Sequence, residues 1–272
     1  MDTSANELGD LAPDRIEAEL RRLGSELGRP LSVVALTGST NDDAKRAAAA
    51  GAAHGAVYLA DAQTAGRGRG GHTWHSPAGE NLYLSIVVRP HVAPTAIAPI
   101  TLAVGVAVGR VVAQAVEGRS LTASERVTLK WPNDVYVDGL KIAGVLVEGQ
   151  LRGERVASLV AGIGLNVKTR SFPPDLTKTA TSLALAGASD LDRARVVAAL
   201  VAEVGRVVGT FEETALEMLL PEIRSRDFLR DRRVRVGDLH GTARGIDDGG
   251  AILIRDAAGS LHAVGSGEVL LA

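Results

Sequence analysis

The 272-residue sequence predicts a large domain mixing helices and strands over residues 31–225 and a small β-barrel over 226–272. An extension with one short helix, residues 1–30, precedes them. Three features lead to this division. Strand-like apolar runs alternate with helical stretches as far as about residue 225. From Asp227 onward, short strands are punctuated by Gly237-Asp238, Asp247-Asp248-Gly249-Gly250, Ala258-Gly259 and Gly265-Ser266-Gly267, the texture of a small barrel. From Asp61 to Asn81 neither apolar period appears, and an ordered stretch of that length is usually a lid, a binding loop or a linker.

Composition narrows the classes further. A content of 46% hydrophobic and 23% charged residues describes a soluble globular protein. The formal net charge of -2 argues against broad attraction to nucleic acid or an anionic membrane. The absence of cysteine excludes disulfides and thiolate chemistry. Met1 to Asp10 lacks a basic n-region and an apolar h-region, and no uninterrupted run of ~18 apolar residues occurs, so a cytoplasmic location is expected. Residues 1–30 carry seven acidic side chains against four basic, too short and too acidic for a helical DNA-reading module.

Taken in order, Pro13 to Leu27 is expected as a helix, with Ile16, Leu20, Leu23 and Leu27 on one face and Gly28 at its end. A strand over Leu31 to Leu36 leads through Thr37-Gly38-Ser39-Thr40-Asn41-Asp42-Asp43 into an Ala-rich helix ending near Gly51. Ser39, Thr40 and Asn41 read either as helix caps or as a polar cluster that meets a carboxylate or ureido group at the helix N-terminus. Val57 to Ala60 is the next strand and delivers Gln63, and the apolar run Leu82 to Arg89 is a strand buried on both faces. Ile100 to Val116 reads as a buried helix, too short for a membrane span despite the spacing of Gly105 and Gly109.

Val127 to Lys130 runs into Trp131-Pro132-Asn133-Asp134, after which Val135 to Val137 and Leu140 to Glu148 form a hairpin across Asp138-Gly139. Period two places Lys141 on a face with Ala143, Val145 and Val147, where it either snorkels at the rim or meets a bound anion. Val156 to Leu165 is a strand whose Gly162 and Gly164 mark a bulge or a close ligand approach. Thr179 to Leu183 opens a short helix, Asp192 to Phe211 forms a longer one, and Glu213 to Arg226 another that buries Leu216, Leu219, Leu220 and Ile223.

The stretch Gly66 to Trp74 has no ordinary structural reason. Four glycines within six positions free backbone N–H groups to approach an anion, and Arg67 and Arg69 add two guanidinium forks. No acidic residue lies between Asp61 and Glu80 to neutralise them. Gly66, Gly68 and Gly71 also satisfy the dinucleotide fingerprint, but that pattern opens a helix and here Thr73, Trp74, Ser76 and Pro77 follow. The remaining readings are an ordered anion loop, which is favoured, and a flexible Gly/Arg tether.

Together, Gly66-Arg67-Gly68-Arg69 with Trp74, Lys130-Trp131-Pro132-Asn133-Asp134, and Lys141-Ile142-Ala143-Gly144 resemble the biotin protein ligases, from about Leu31 to the end of the chain. The resemblance implies an α+β catalytic domain with a mixed, mainly antiparallel sheet flanked by helices, followed by an SH3-like barrel. It implies ATP and biotin as substrates, Mg²⁺, no tightly bound redox cofactor, and transfer of biotin through biotinyl-5'-AMP to a lysine of a biotin carboxyl carrier domain. Lys141, Arg69 and Arg67 match catalytic positions. Ser39, Thr40, Asn41, Gln63, Gly66, Gly68, Gly144, Gly162 and Gly164, with the same arginines and Lys141, match biotin-contacting ones. Arg69, Trp74, Asn133, Asp134, Lys141 and Asn166 match the nucleotide region, with Asp134 the candidate Mg²⁺ ligand and the only candidate base for the acceptor lysine.

Two departures stand out. His72 replaces an arginine common in relatives, and the chain ends in Leu270-Leu271-Ala272 where many relatives have a Ser-Leu-Arg run. The resemblance also leads us to expect no operator DNA binding, since about 30 leading residues cannot supply a winged helix. Strand edges near the hairpin leave a homodimer open. The competing readings are a biotin or adenylate sensor that does not transfer, a lipoate-type acyl ligase, and a Gly/Arg nucleic-acid module.

Overall fold

The computed structural model describes residues 8–116, 126–188 and 191–272. Its centre is a seven-stranded sheet of β1 (Leu31–Thr37), β2 (Val57–Gln63), β3 (Leu82–Val88), β4 (Val127–Lys130), β5 (Asp134–Val137), β6 (Leu140–Arg152) and β7 (Arg155–Leu165), in the order β1-β2-β3-β7-β6-β5-β4. β1 and β2 pair in parallel and the other neighbours are antiparallel, so the sheet is mixed and mainly antiparallel. The helices are α1 (Pro13–Arg22), α2 (Thr40–Ala49), α3 (Ile97–Val116), α4 (Arg193–Thr214) and α5 (Leu220–Ser225).

β3 shows why the strand reads as one apolar run: all seven of its residues are buried. Leu84, Ile86 and Val88 point into the main core with α3 and α4, whereas Val87 packs with Ala44 and Ala48 of α2 and Val160 of β7. Period two therefore divides the sheet into an α3/α4 face and an α2 face. The small residues along α2 let the helix lie close to the sheet.

Several boundaries differ from the sequence expectation. α1 stops at Arg22 rather than Leu27, because Gly24 adopts a left-handed conformation and Ser25 N–H reaches Leu20 O at 3.0 Å while Gly24 N–H reaches Arg21 O at 3.1 Å. That pattern closes a helix, and Leu27 is then buried beside Gly205 from outside it. α3 begins at Ile97 and is long and apolar enough by length and composition to cross a membrane. Burial, not shortness, identifies it as a core helix, since 72% of its apolar window is inside the protein. Residues 179–183 do not open a helix: Lys141 N–H donates to Thr179 O (2.8 Å) and Thr181 N–H to Lys141 O (2.8 Å), tying the segment to β6. The helix expected over Glu213 to Arg226 shrinks to α5, since Ala215 has a positive φ of 52° that interrupts it. Leu216, Leu219, Leu220 and Ile223 are nevertheless buried.

The C-terminal strands are β8 (Arg233–Val236), β9 (Leu239–Ile246), β10 (Ile252–Arg255), β11 (Leu261–Val264) and β12 (Leu270–Leu271). They form an antiparallel sheet ordered β11-β10-β9-β8-β12 whose outer strands do not pair with each other, so the described sheet is not closed. Its attachment is specific. Trp131 Nε1 donates to Gly250 O at 2.9 Å, Leu129 N–H to Arg226 O at 2.7 Å, and Phe228 N–H to Leu129 O at 3.0 Å. Tyr136 and Phe228 stack with ring centres 4.6 Å apart.

One buried cation holds the base of the glycine loop. Arg193, 3% exposed, donates through Nη1 to Asp61 Oδ1 (2.6 Å) and Asn81 O (3.3 Å), and through Nε to Asp10 Oδ1 (2.7 Å). Asp61 Oδ2 in turn accepts from Gly79 N–H at 3.0 Å, so both ends of the loop and the segment before α1 converge on one guanidinium. Removing one partner of a buried ion pair leaves the other charge uncompensated. Arg193→Met is expected to lower stability by about 3–5 kcal/mol, read as a shifted urea midpoint; a shift within error of the wild type would show that the clamp is not structural.

Candidate functional site

Three glycines on the α2 face leave part of the sheet without side chains. Gly144 of β6 pairs across the strands with Gly164 of β7, and Gly162 pairs with Leu146. A Cβ at Gly162 would lie 1.9 Å from Asn41 Oδ1, and one at Gly164 would lie 2.4 Å from the Trp74 ring. At Gly144 the same ring would be 3.1 Å away. The hollow they leave is a cavity of about 340 Å³.

Its polar end is built where β1 hands over to α2. Ser39 occupies the N-cap position of α2 without a side-chain capping bond, and Thr40 and Asn41 turn inward instead. Gln63 Oε1 accepts from Thr40 N–H (2.9 Å) and Thr40 Oγ1 (3.3 Å). The buried Ser85 hydroxyl donates to Asn41 Oδ1 at 2.6 Å and lies 2.9 Å from Thr40 Oγ1. Asn41 Nδ2 then donates to Glu148 Oε2 at 2.8 Å, so a hydrogen-bonded chain runs from β2 across β3 to β6. Every dipole in this chain has a partner, which fixes the side chains before any ligand arrives.

The opposite end is charged. A register shift between β5 and β6, where Val135 faces Ala143 and Tyr136 faces Lys141, breaks the expected alternation. Lys141 therefore comes to the face of Gly144, with Cε 3.6 Å from where a Cβ there would sit, rather than to the face of Ala143. Its Nζ forms an ion pair with Asp134 Oδ1 at 2.8 Å and stands 5.4 Å from the centre of the Trp74 ring. Lys130 lines the same end, and burial lowers its pKa, with the Lys141 charge adding to the effect and Asp134 and Glu268 opposing it. Asn133 Nδ2 donates to Val145 O at 2.9 Å and holds the turn before β5. Trp74 Nε1 is buried in the wall without a hydrogen-bond partner among the described residues.

The glycine loop is a compact hairpin. Arg67 and Thr73 form a β-bridge, Gly68 N–H donates to His72 O at 2.7 Å, and Trp74 N–H donates to Gly66 O at 2.9 Å. Gly70 and Gly71 turn it with φ of 63° and 82°. Arg67 Nη2 pairs with Asp42 (2.8 Å) and Glu148 (2.7 Å). Arg69 Nη1 reaches Gly267 O at 3.3 Å, and His72 Nε2 lies 3.4 Å from Glu268, so the tip between β11 and β12 closes one side of the cavity.

The structure thus gathers Ser39, Thr40, Asn41, Gln63, Arg67, Gly68, Arg69, Trp74, Asn133, Asp134, Lys141, Gly144, Gly162 and Gly164 around one cavity. Gly66 and Asn166 stand outside its lining. A Cβ at Gly66 would meet Ser76 Oγ at 2.6 Å, which makes it the tight base of the hairpin. Asn166 is buried and donates through Nδ2 to Thr181 O at 2.9 Å, supporting the segment that borders Lys141 rather than facing the hollow. Sequence reasoning missed Tyr83, Ser85, Glu148 and the tip Gly267-Glu268-Val269. Ser85 was the polar exception in a continuous apolar strand, a signal that was present; nothing in the sequence places residues 267–269 at the cavity.

The chain matches the biotin/lipoate A/B protein ligase family over residues 33–166 and the biotin protein ligase C-terminal domain over residues 231–271. It is 37% identical over 273 residues to the biotin acetyl-CoA-carboxylase ligase of Mycobacterium tuberculosis, covering 96% of this chain and 97% of that protein. To the bifunctional ligase/repressor BirA of Bacillus spizizenii it is 34% identical over 240 residues, or 86% of this chain and 71% of that protein. The biotin protein ligase from Aquifex aeolicus solved in complex with biotin and ATP superposes with a TM-score of 0.72 at 29% identity, covering 89% of this chain and 97% of that one.

The closeness of Asn41 to Gly162 gives a direct test of the hollow. A methyl group there has to displace Asn41 from a satisfied network, and overpacking of this kind costs roughly 1–3 kcal/mol. Gly162→Ala is expected to lower the unfolding free energy by about that amount in a urea titration, whereas Gly105→Ala, inside α3 with open space at its Cβ position, is expected to raise it by up to about 1 kcal/mol.

Proposed function

Because the chain belongs to the biotin protein ligase family, we propose that it condenses biotin with ATP to biotinyl-5'-AMP and pyrophosphate, then transfers biotin to one lysine of a biotin carboxyl carrier domain. The observation that carries this reading is the charge of the cavity. In a chain of net charge -2, Arg69, Lys130 and Lys141 line one hollow with two carboxylates, Asp134 and Glu268, while the fourth basic side chain there, Arg67, is paired from outside the lining by Asp42 and Glu148. Such a surplus suits the meeting of two anions.

In the first step the biotin carboxylate attacks the α-phosphorus of ATP, an O–P bond forms, and pyrophosphate leaves. We assign the heterocycle to the polar end, where Ser39, Thr40, Asn41 and Gln63 offer fixed donors and acceptors beside the backbone of Gly144, Gly162 and Gly164. Gly66 and Gly68 shape the loop above it. Lys141, with Arg67 and Arg69, holds the carboxylate and α-phosphate together and stabilises charge on the pentacoordinate phosphorus. Trp74, Asn133 and Asp134 take the nucleotide side, and Asn166 serves it through the segment that flanks Lys141. Asp134 is the residue that would hold Mg²⁺, which would offset the charge of the ATP phosphates. Among the described residues there is no cluster of three metal-ligating side chains, and the single carboxylate of Asp134 is in keeping with a phosphate-borne Mg²⁺. No redox cofactor is required.

The mixed anhydride is prone to hydrolysis, so the hairpin loop has to cover it until the acceptor arrives. The acceptor amine then attacks the biotinyl carbonyl, an amide forms, and AMP departs. We read residues 31–225 as the catalytic domain, 226–272 as an SH3-like barrel in family terms, and 1–30 as an extension whose helix α1 packs on α4. The enzyme we propose is cytoplasmic and needs neither specific DNA nor a membrane, α3 spending its apolar length in the core. Past Val145, β6 has no strand partner on its β5 side among the described residues, an edge we propose for a homodimer.

Intact-mass analysis of a biotin carboxyl carrier domain incubated with the protein, ATP, Mg²⁺ and biotin tests the reading. One added biotin that depends on ATP is expected, and Lys141→Ala is expected to slow its appearance about 100-fold or more. An unmodified carrier, with biotin still bound to the protein, would turn the reading to a sensor.

A further inference from the structure

We propose that Glu148 is a positioning residue that ties the glycine loop to the polar end of the cavity, so that one carboxylate sets both the seat of Asn41 and the closure of the loop. The role of the cavity rests on the ligase reading; the tether itself does not. Glu148 is not part of the cavity lining. It sits behind it on β6, and its Oε2 accepts from Asn41 Nδ2 at 2.8 Å and from Arg67 Nη2 at 2.7 Å. Oε1 accepts from Lys45 Nζ at 2.9 Å.

These partners belong to two elements, α2 and the hairpin loop. Asn41 opens α2, Lys45 lies one turn further along it, and Arg67 is on the hairpin loop. The Asn41 amide has only one orientation that serves the network, because the Glu148 carboxylate can only accept and so takes Nδ2, leaving Oδ1 to the Ser85 hydroxyl at 2.6 Å. A flip would set Oδ1 against the carboxylate.

Arg67 is held by two carboxylates. Asp42 is the more exposed, at 43% against 25% for Glu148, so its pair is the more heavily screened. Glu148 is therefore the stronger hold on the loop. Burial opposes its charge, but hydrogen bonds from Lys45 and Asn41 and the charges of Arg67 and Lys45 outweigh that and keep the carboxyl below its ordinary pKa. It remains an anion at neutral pH. Loop and polar end share a single acceptor oxygen, so a change in either alters the hold on the other.

Glu148→Gln keeps an acceptor oxygen for both Asn41 and Arg67 but removes the charge that strengthens the hold on Arg67. Limited trypsin digestion of the protein without biotin or ATP, mapped by mass spectrometry, reads cleavage after Arg67 and Arg69. Glu148→Gln is expected to speed these two cuts about tenfold, the effect of removing the charge assistance from one hydrogen bond, with cuts elsewhere unchanged. Lys45→Met, which removes the third partner only, is expected to cut at the wild-type rate. Should Glu148→Gln not fold, Glu148→Asp, with its charge drawn back by one methylene, is expected to show the same loop-selective increase. Wild-type rates in the glutamine variant, or in the aspartate variant if that one is used, overturn the proposal, as does equal acceleration by Lys45→Met.

A second measurement follows AMP released from biotin and ATP with no carrier present. A severalfold rise in Glu148→Gln with little change in biotin affinity supports the tether, and a loss of biotin affinity with no rise in release counts against it. If the wild type releases no AMP and labels no carrier, the ligase reading fails while the digestion still decides the tether.

Discussion

A patch of sheet without side chains is the constraint on which the site depends. Gly144, Gly162 and Gly164 face α2, and the space their missing Cβ atoms leave is taken by Asn41 Oδ1, by the Trp74 ring and by the cavity itself. Strand interiors seldom favour glycine, which gives up packing and backbone entropy. Here the cost is met on the reverse face, where Ala143, Val145, Ile163 and Leu165 are buried in the main core with α3 and α4. One pair of strands is thus a packed core on one side and a binding floor on the other.

Charge is arranged around that floor in two layers. The inner layer, Lys130, Lys141 and Arg69, meets two carboxylates in the lining, Asp134 and Glu268, and burial pushes the Lys130 amine toward its neutral form. The outer layer is balanced, with Glu148 and Asp42 against Arg67 and Lys45, and Asp10 and Asp61 against Arg193 and Lys168. The outer pairs fix where the loop begins, ends and folds. The inner surplus is left for a ligand to neutralise.

The parts of this arrangement carried by local pattern were legible in the sequence. The loop glycines, the Asp138-Gly139 turn with φ of 50° and 80°, and the two-sided burial of β3 all follow from nearest-neighbour chemistry. Features that depend on partners distant in sequence were not. The shift between β5 and β6 moves Lys141 to the opposite face from the one that strict alternation gives, and no residue in Leu140 to Val147 announces it. Asn166 follows β7 as expected, yet its amide turns to Thr181 because that is where the returning chain needs an acceptor bond met. The helix expected from Glu213 looks continuous in its apolar spacing, but the conformation of Ala215 breaks it while leaving the same leucines buried. Glu148 resembles any charged residue on an exposed strand end, and its three partners become visible only when α2 and the loop are packed beside it.

The contact between Arg69 and the C-terminal sheet is made to a main-chain carbonyl, Gly267 O. Every amino acid carries that oxygen, so the bond is indifferent to which side chains occupy the neighbouring tip and depends only on the path of the chain. The path is itself restricted, since Gly267 has φ of 137° and a Cβ there would lie 2.7 Å from Val236 Cγ1. Drift by substitution at Ser266 or Glu268 leaves the oxygen in place. Insertion or deletion between β11 and β12 carries it out of reach, so the contact depends on the length of that tip and on the glycine at its centre.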